Sequence, residues 1–86
     1  MAAYAVSKAA VAALTTALAR ELASEAVLVN AVVPSIMDTP QNRRAMPKAD
    51  FERWPKVEEV AEVIAFLASG RNRVTSGALV PVYGRS

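Results

Sequence analysis

Apolar positions recur along this chain with two different periods. From Tyr4 to about Ser24, Val11, Leu14, Leu18 and Leu22 return at spacings of three and four among many alanines. That pattern predicts a helix over residues 4–24 with Leu14, Leu18 and Leu22 in a core. Thr15, Thr16 and Arg20 make its other side only weakly polar, and the small residues let neighbouring elements approach closely. "VLVNAVV", residues 27–33, is a short β-branched run stopped by Pro34, with Asn30 its one polar residue. It predicts a strand buried on both faces. Residues 34–56, "PSIMDTPQNRRAMPKADFERWPK", hold four of the five prolines and break both periods. They read as a long excursion with a short helical turn near Gln41–Ala45, and loops of this length are usually functional or disordered. "VEEVAEVIAFLAS", residues 57–69, predicts a second helix with Val57, Val60, Ile64 and Leu67 as its buried stripe. Glu58 and Glu59 suit the positive end of its dipole, and Gly70 stands where a C-terminal cap belongs. "ALVPV", residues 78–82, predicts a last strand, with Pro81 pointing to a sheet edge or strand end.

The order is helix, strand, long loop, helix, strand. Two strands joined by a helical crossover form a right-handed parallel unit, and a parallel sheet wants cover on both faces. Two strands and two helices do not provide it. The fold class expected is α/β: residues 1–86 form a single partial domain of a doubly wound, Rossmann-like parallel sheet, incomplete without a partner. With 86 residues the chain buries only about 60–65% of its unfolded surface. Its 53% hydrophobic content is high for such a size, so apolar surface should remain in need of cover.

Composition narrows the chemistry. The chain has no cysteine and no histidine, so no disulfide supports the core, a thiolate zinc site is impossible and the commonest general base is missing. No metal site is expected. A formal charge of +2 is too small to imply nucleic acid, and Arg43-Arg44 and Arg71-Asn72-Arg73 read as solvated loops. The start carries no targeting pattern, and Lys8 interrupts its apolar stretch. No run reaches the roughly 18 apolar residues of a membrane span, and the first helix lacks the lysine-rich polar face of a membrane-surface element. The expected setting is soluble and cytoplasmic.

The chemistry-bearing pair is Tyr4 and Lys8, in "YAVSK". At i and i+4 they share one face of the first helix. An ammonium beside a phenol favours the phenolate, which is a way to build a general acid/base without histidine. An ordinary first helical turn with a solvated lysine has the same spacing.

"YAVSKAAVAALTTALARELA", "VLVNAVVPSIMDTP", "EEVAEVIAFLAS" and "TSGALVPV" resemble, in this order, the C-terminal half of the short-chain dehydrogenase/reductase family, over nearly all 86 residues. The resemblance implies NAD or NADP as cofactor. It gives Tyr4 the proton exchange with the substrate oxygen, and Lys8 the cofactor's ribose hydroxyls. Pro34, Ser35, Met37 and Thr39 would line the nicotinamide end, Met37 through its backbone and Thr39 through its hydroxyl. Ser35 stands where the family has glycine, and the ending "VYGRS" where it has Val-Asp-Gly-Gly. The excursion and "GRNRVTSGALVPV" look closest to the dihydropteridine reductase branch, which reduces quinonoid dihydropterins. Phe51 and Trp54 would either contact a flat ligand or pin the loop to the body.

The family's glycine-rich pyrophosphate turn and its serine upstream of the tyrosine are not among these residues, whose only glycines are Gly70, Gly77 and Gly84. Two functions are then open. One is the catalytic half of an NAD(P)-dependent oxidoreductase, transferring a proton through Tyr4 and Lys8 as hydride moves to or from a carbonyl, alcohol or pterin-like substrate. The other is a catalytically inactive, truncated remnant that self-associates as a homo-oligomer through residues 4–24.

Overall fold

The computed structural model describes residues 1–86. Alanine and leucine hold Ala2–Glu21 in one helix, α1. It passes at Leu22 into a 3₁₀ turn, Ala23–Glu25, closed by Ala26 at φ 58°. Strand β1 (Ala31–Pro34), helix α2 (Pro40–Ala45), a 3₁₀ turn (Phe51–Arg53), helix α3 (Val57–Ala68) and strand β2 (Leu79–Val82) complete the chain. The two strands pair in parallel, with Ala31 opposite Leu79 and Pro34 opposite Val82. Thus β1, α3 and β2 make the parallel crossover unit that the sequence predicts.

The first strand is shorter than the predicted 27–33 and begins four residues later. Residues 27–30 lie beside no strand. Val29 instead bonds the chain before β2, its N–H donating to Ser76 Oγ (3.0 Å) and its carbonyl accepting from Gly77 N–H (2.7 Å). A full-length ladder needs a strand pairing along the run, and β1 has one neighbour only, β2.

Alternation along a strand sends Val32, Pro34, Val80 and Val82 to one sheet face and Ala31, Val33, Leu79 and Pro81 to the other. Helix α3 lies on the first face: Leu28, Asn30 and Val32 share a groove with Ile64, Leu67 and Ala68. Helix α1 packs on β1 and reaches the chain before β2, where Ala19 Cβ would stand 3.4 Å from a Cβ at position 77.

The predicted core stripes are only partly covered. Val60 and Trp54 are buried, but Leu14 is 57% exposed, Ile64 48% and Val57 45%. Leu18 and Leu22 are half-buried, and the only buried residue of α1 is Thr15, whose hydroxyl donates to the Val11 carbonyl (2.7 Å). Only six of the 86 residues are buried, so the sheet covers one narrow stripe of each helix. The accessible surface is 6450 Å², whereas a compact monomer of 9.1 kDa has about 4,900 Å². The radius of gyration is 15.1 Å against about 12 Å for a compact chain of this length. The excess, roughly 1,500 Å², is the surface that a partial sheet leaves open.

Two further expectations change. Gly70 does not cap α3 with a left-handed turn; positive φ occurs at Gly77, Gly84 and Ala26 only. Side chains close that helix end, Ser69 Oγ donating to Phe66 O (2.8 Å) and Asn72 Nδ2 to Leu67 O (3.1 Å). Also, α1 is long and apolar enough to cross a membrane by length and composition, with a mean hydropathy of 1.4. Counting uninterrupted apolar residues misses this, because alanine raises the window average across Lys8. Only 11% of that window is buried; the helix packs on β1 and, at Ala19, on the chain at Gly77.

Candidate active site at the carboxyl edge of the sheet

In parallel α/β sheets, ligands bind outside the carboxyl ends of the strands. Here that edge is formed by the segments that leave the sheet after Pro34 and Val82. The chain turns at Ser35 and enters the excursion, parts of which are held by bonds within it. Thr39 caps α2, its Oγ1 accepting from Asn42 N–H (3.1 Å), while Pro40 takes the first helical position. Asn42 Nδ2 donates back to the Met37 carbonyl (2.8 Å). Asp38 N–H donates to Pro55 O (2.9 Å) and Asp38 bridges Lys56 as a short parallel pair, closing the excursion at its base.

Asp38 also carries the chain's ion pairs. Arg43 grips it with two bonds, Nε to Oδ1 (2.6 Å) and Nη2 to Oδ2 (2.8 Å), and Lys56 Nζ stands 3.9 Å away. The Arg43 hydrogen bonds, aided by the charges of Arg43 and Lys56, hold the Asp38 carboxyl below its ordinary value against partial desolvation. The Arg43 guanidinium lies 4.6 Å from the Phe51 ring centroid, and Phe51 is 4.9 Å from Trp54. Arg43 is solvated, as expected, but it sits on α2 and is held by this ion pair rather than free in a loop. Trp54 is buried, so the aromatic pair pins the excursion to the body and Trp54 offers no face to a flat ligand. Asn72, read as part of a solvated basic pair, is buried too and bonds Leu67 and Thr75.

Tyr4 and Lys8 meet as the helical spacing predicts, but at the ring face: Lys8 Nζ lies 5.3 Å from the Tyr4 centroid. Both are exposed, and Lys8 has no carboxylate partner, since both ion pairs involve Asp38. The end of α1 at Ala19 meets Gly77, before the amino end of β2. Its other end, bearing Tyr4, is therefore directed toward the carboxyl side. No hydrogen bond joins Tyr4 or Lys8 to residues 34–39, so the structure brings the members of each group together without linking the two groups.

This donor set fits the nicotinamide end of a dinucleotide. The Met37 N–H has no protein partner. The Thr39 hydroxyl accepts from Asn42 and so keeps its proton to donate. The Lys8 ammonium is free for hydroxyls. The pyrophosphate end has no matching glycine-rich turn in the chain.

Residues 1–84 match the family model described as enoyl-(acyl carrier protein) reductase. The chain belongs to the short-chain dehydrogenase/reductase family. Among its relatives in the family is a 3-oxoacyl-(acyl carrier protein) reductase of Pseudomonas aeruginosa, 42% identical over 90 residues that cover 94% of this chain and 36% of the relative. A galactitol 2-dehydrogenase of Rhizobium johnstonii is 42% identical, with 93% and 35% covered. Among solved family structures, acetoin dehydrogenase from Enterobacter cloacae superposes with a TM-score of 0.80 at 32% identity, over 96% of this chain and 35% of that one. A 3-oxoacyl-(acyl carrier protein) reductase with bound NAD from Brucella melitensis gives 0.78 at 32%, over 95% and 32%. The chain spans about a third of the length of the curated relatives it matches. The two-stranded sheet is a partial form of the family's Rossmann-like sheet.

Sequence reasoning missed Asn42, Asp38 and Arg43 as the frame of the 37–43 corner. Asp38 and Arg43 are five residues apart, a spacing that signals no contact on a helix. The polar Asn30 inside an apolar run was a signal. Its side chain bonds both Thr75 O (2.9 Å) and Ala78 N–H (3.1 Å) and sets β1 against β2.

Proposed function

We propose that this chain supplies the proton-transfer and nicotinamide-side half of an NAD(P)-dependent oxidoreductase acting on a carbonyl or secondary alcohol. The observation that carries this reading is the carboxyl-edge corner, where the Met37 N–H and the Thr39 hydroxyl stay free for a ligand. Tyr4 gives a proton to the carbonyl oxygen or takes one from the alcohol. Lys8 holds the ribose hydroxyls. Pro34 and Ser35 form the turn that carries Met37 and Thr39 to the cofactor. The nicotinamide, when bound, supplies or accepts the hydride. Relatives named for 3-oxoacyl, sugar-alcohol and acetoin chemistry support a ketone or secondary alcohol; a quinonoid dihydropterin is the competing substrate suggested by the excursion.

The test is a hybrid in which this chain replaces the matching 90 residues of the Pseudomonas aeruginosa reductase. The hybrid should bind NADH or NADPH and oxidise it with a ketone. Binding without turnover of either a ketone or a dihydropterin would refute the proposal. Faster turnover of the dihydropterin would reassign the substrate class.

A second reading is supported by the uncovered amino-terminal half of α1, where Tyr4, Val6, Val11 and Leu14 are all more than half exposed. On it, the chain as it stands has no turnover and associates with copies of itself through residues 4–24.

A further inference from the structure

The sequence leaves the family pattern at two places, Ser35 and the 83–86 segment. The structure puts those two departures in contact. Ser35 Oγ lies 2.5 Å from Ser86 Oγ, and both hydroxyls stand within donating distance of the Tyr83 carbonyl, at 3.3 Å and 2.7 Å. Two protons serve three contacts, so two of the three are hydrogen bonds at a time: one hydroxyl donates to the other, which donates to the Tyr83 carbonyl. A glycine at position 35 has no hydroxyl to offer.

On its other side the same segment is bonded to the far end of the excursion. Arg85 N–H donates to Arg53 O (3.0 Å), Arg53 Nε donates to Arg85 O (3.1 Å), and Arg85 Nη2 donates to Glu52 O (3.1 Å). Gly84 makes the approach possible. At φ 63° it leaves room where a Cβ would stand 3.0 Å from Pro55 N and 3.1 Å from Arg53 O. Residues 35 and 53, at opposite ends of the excursion, are thereby tied through one short turn at the carboxyl edge.

We propose that Ser35 is a positioning residue: acting through Ser86 and Tyr83, it clasps the 34–37 corner to the 51–55 segment and fixes the spacing between these two borders of the site. The clasp stands on the contacts alone. Its meaning for substrate rests on the function proposed above.

Amide hydrogen exchange of the full chain by NMR tests it at the Arg85 amide, which bonds Arg53 and belongs to neither hydroxyl residue. Both serines are exposed, so the effect is modest. Ser35→Ala and Ser86→Ala should each speed exchange at Arg85 about fivefold, the double variant no more than either single one, and Ser86→Thr should restore the native rate. Exchange within twofold of native in both single variants, or multiplying effects in the double variant, would overturn the clasp. If Ser35→Ala also loses protection across α3, Ser86→Ala decides on the same criterion. In the hybrid enzyme, Ser86→Ala should raise KM for the carbonyl substrate with kcat retained, and an unchanged KM would overturn the substrate-facing role. A hybrid with no turnover at all would refute the proposed function and leave the exchange result standing.

Discussion

Leu14 measures what the uncovered surface of α1 is for. Its side chain is 57% exposed in a chain whose accessible surface exceeds that of a compact monomer. Full burial of a leucine is worth about 1.5–3 kcal/mol, so covering the exposed part gives roughly 1–1.5 kcal/mol per copy. A two-fold symmetric contact uses the residue twice, giving about 2–3 kcal/mol, or roughly a 30- to 150-fold change in dissociation constant. Leu14→Lys should lose at least that much, because the ammonium must also be desolvated at the interface. Sedimentation velocity across a concentration series reads the change directly. Circular dichroism checks that the helix content persists, since lysine is a good helix former. Val74→Lys is the control: Val74 is 89% exposed but lies in the loop between α3 and β2, and the substitution should leave association unchanged. A native chain that stays monomeric at high micromolar concentration, or a Leu14→Lys chain that associates as tightly as the native one, would refute the reasoning.

The other predictions concern the frame of the site. Asn72→Ala removes three hydrogen bonds at a 7% exposed position and should cost about 2–3 kcal/mol; Asn72→Asp, which turns an oxygen toward the Leu67 and Thr75 carbonyls, should cost at least as much, by urea titration followed through Trp54 fluorescence. Gly84→Ala should destabilise by about 2 kcal/mol from its positive φ, with more from the contact with Pro55, in the same titration. Acid should open the excursion. Because the Asp38 carboxyl is held below its ordinary value, its stabilising effect is complete above about pH 4, the unfolded value, and is lost as pH falls through the lower folded value. Trp54 emission should shift in that acid range, and Arg43→Gln should remove that component of the shift.

The helices, the parallel crossover and the helical turn after Thr39 were legible because each has a local cause: leucine spacing, β-branched runs, a threonine before a proline. Coverage was not legible. Leu14 and Ile64 carry the periodicity of core residues, and periodicity states which face is apolar, not what lies against it. The late start of β1 has the same origin, since residues 27–30 have the composition of a buried strand without a neighbour on that edge. Asp38 and Arg43 escaped notice because their contact depends on how the chain turns between Met37 and Asn42. Tyr4 and Lys8 were visible as a pair from spacing alone. The spacing did not show that the ammonium would lie over the ring.

In the proposed function the Tyr4 hydroxyl exchanges the substrate proton beside a nicotinamide. Tyr4→Phe in the hybrid enzyme removes that oxygen and little else, at a site that is open in this chain. The measurement is single-turnover oxidation of bound NADPH by a ketone, with cofactor affinity determined by fluorescence in parallel. The rate should fall by about 10²–10⁴ with cofactor affinity held within a few-fold. A phenylalanine variant that turns over within tenfold of the tyrosine enzyme would contradict it.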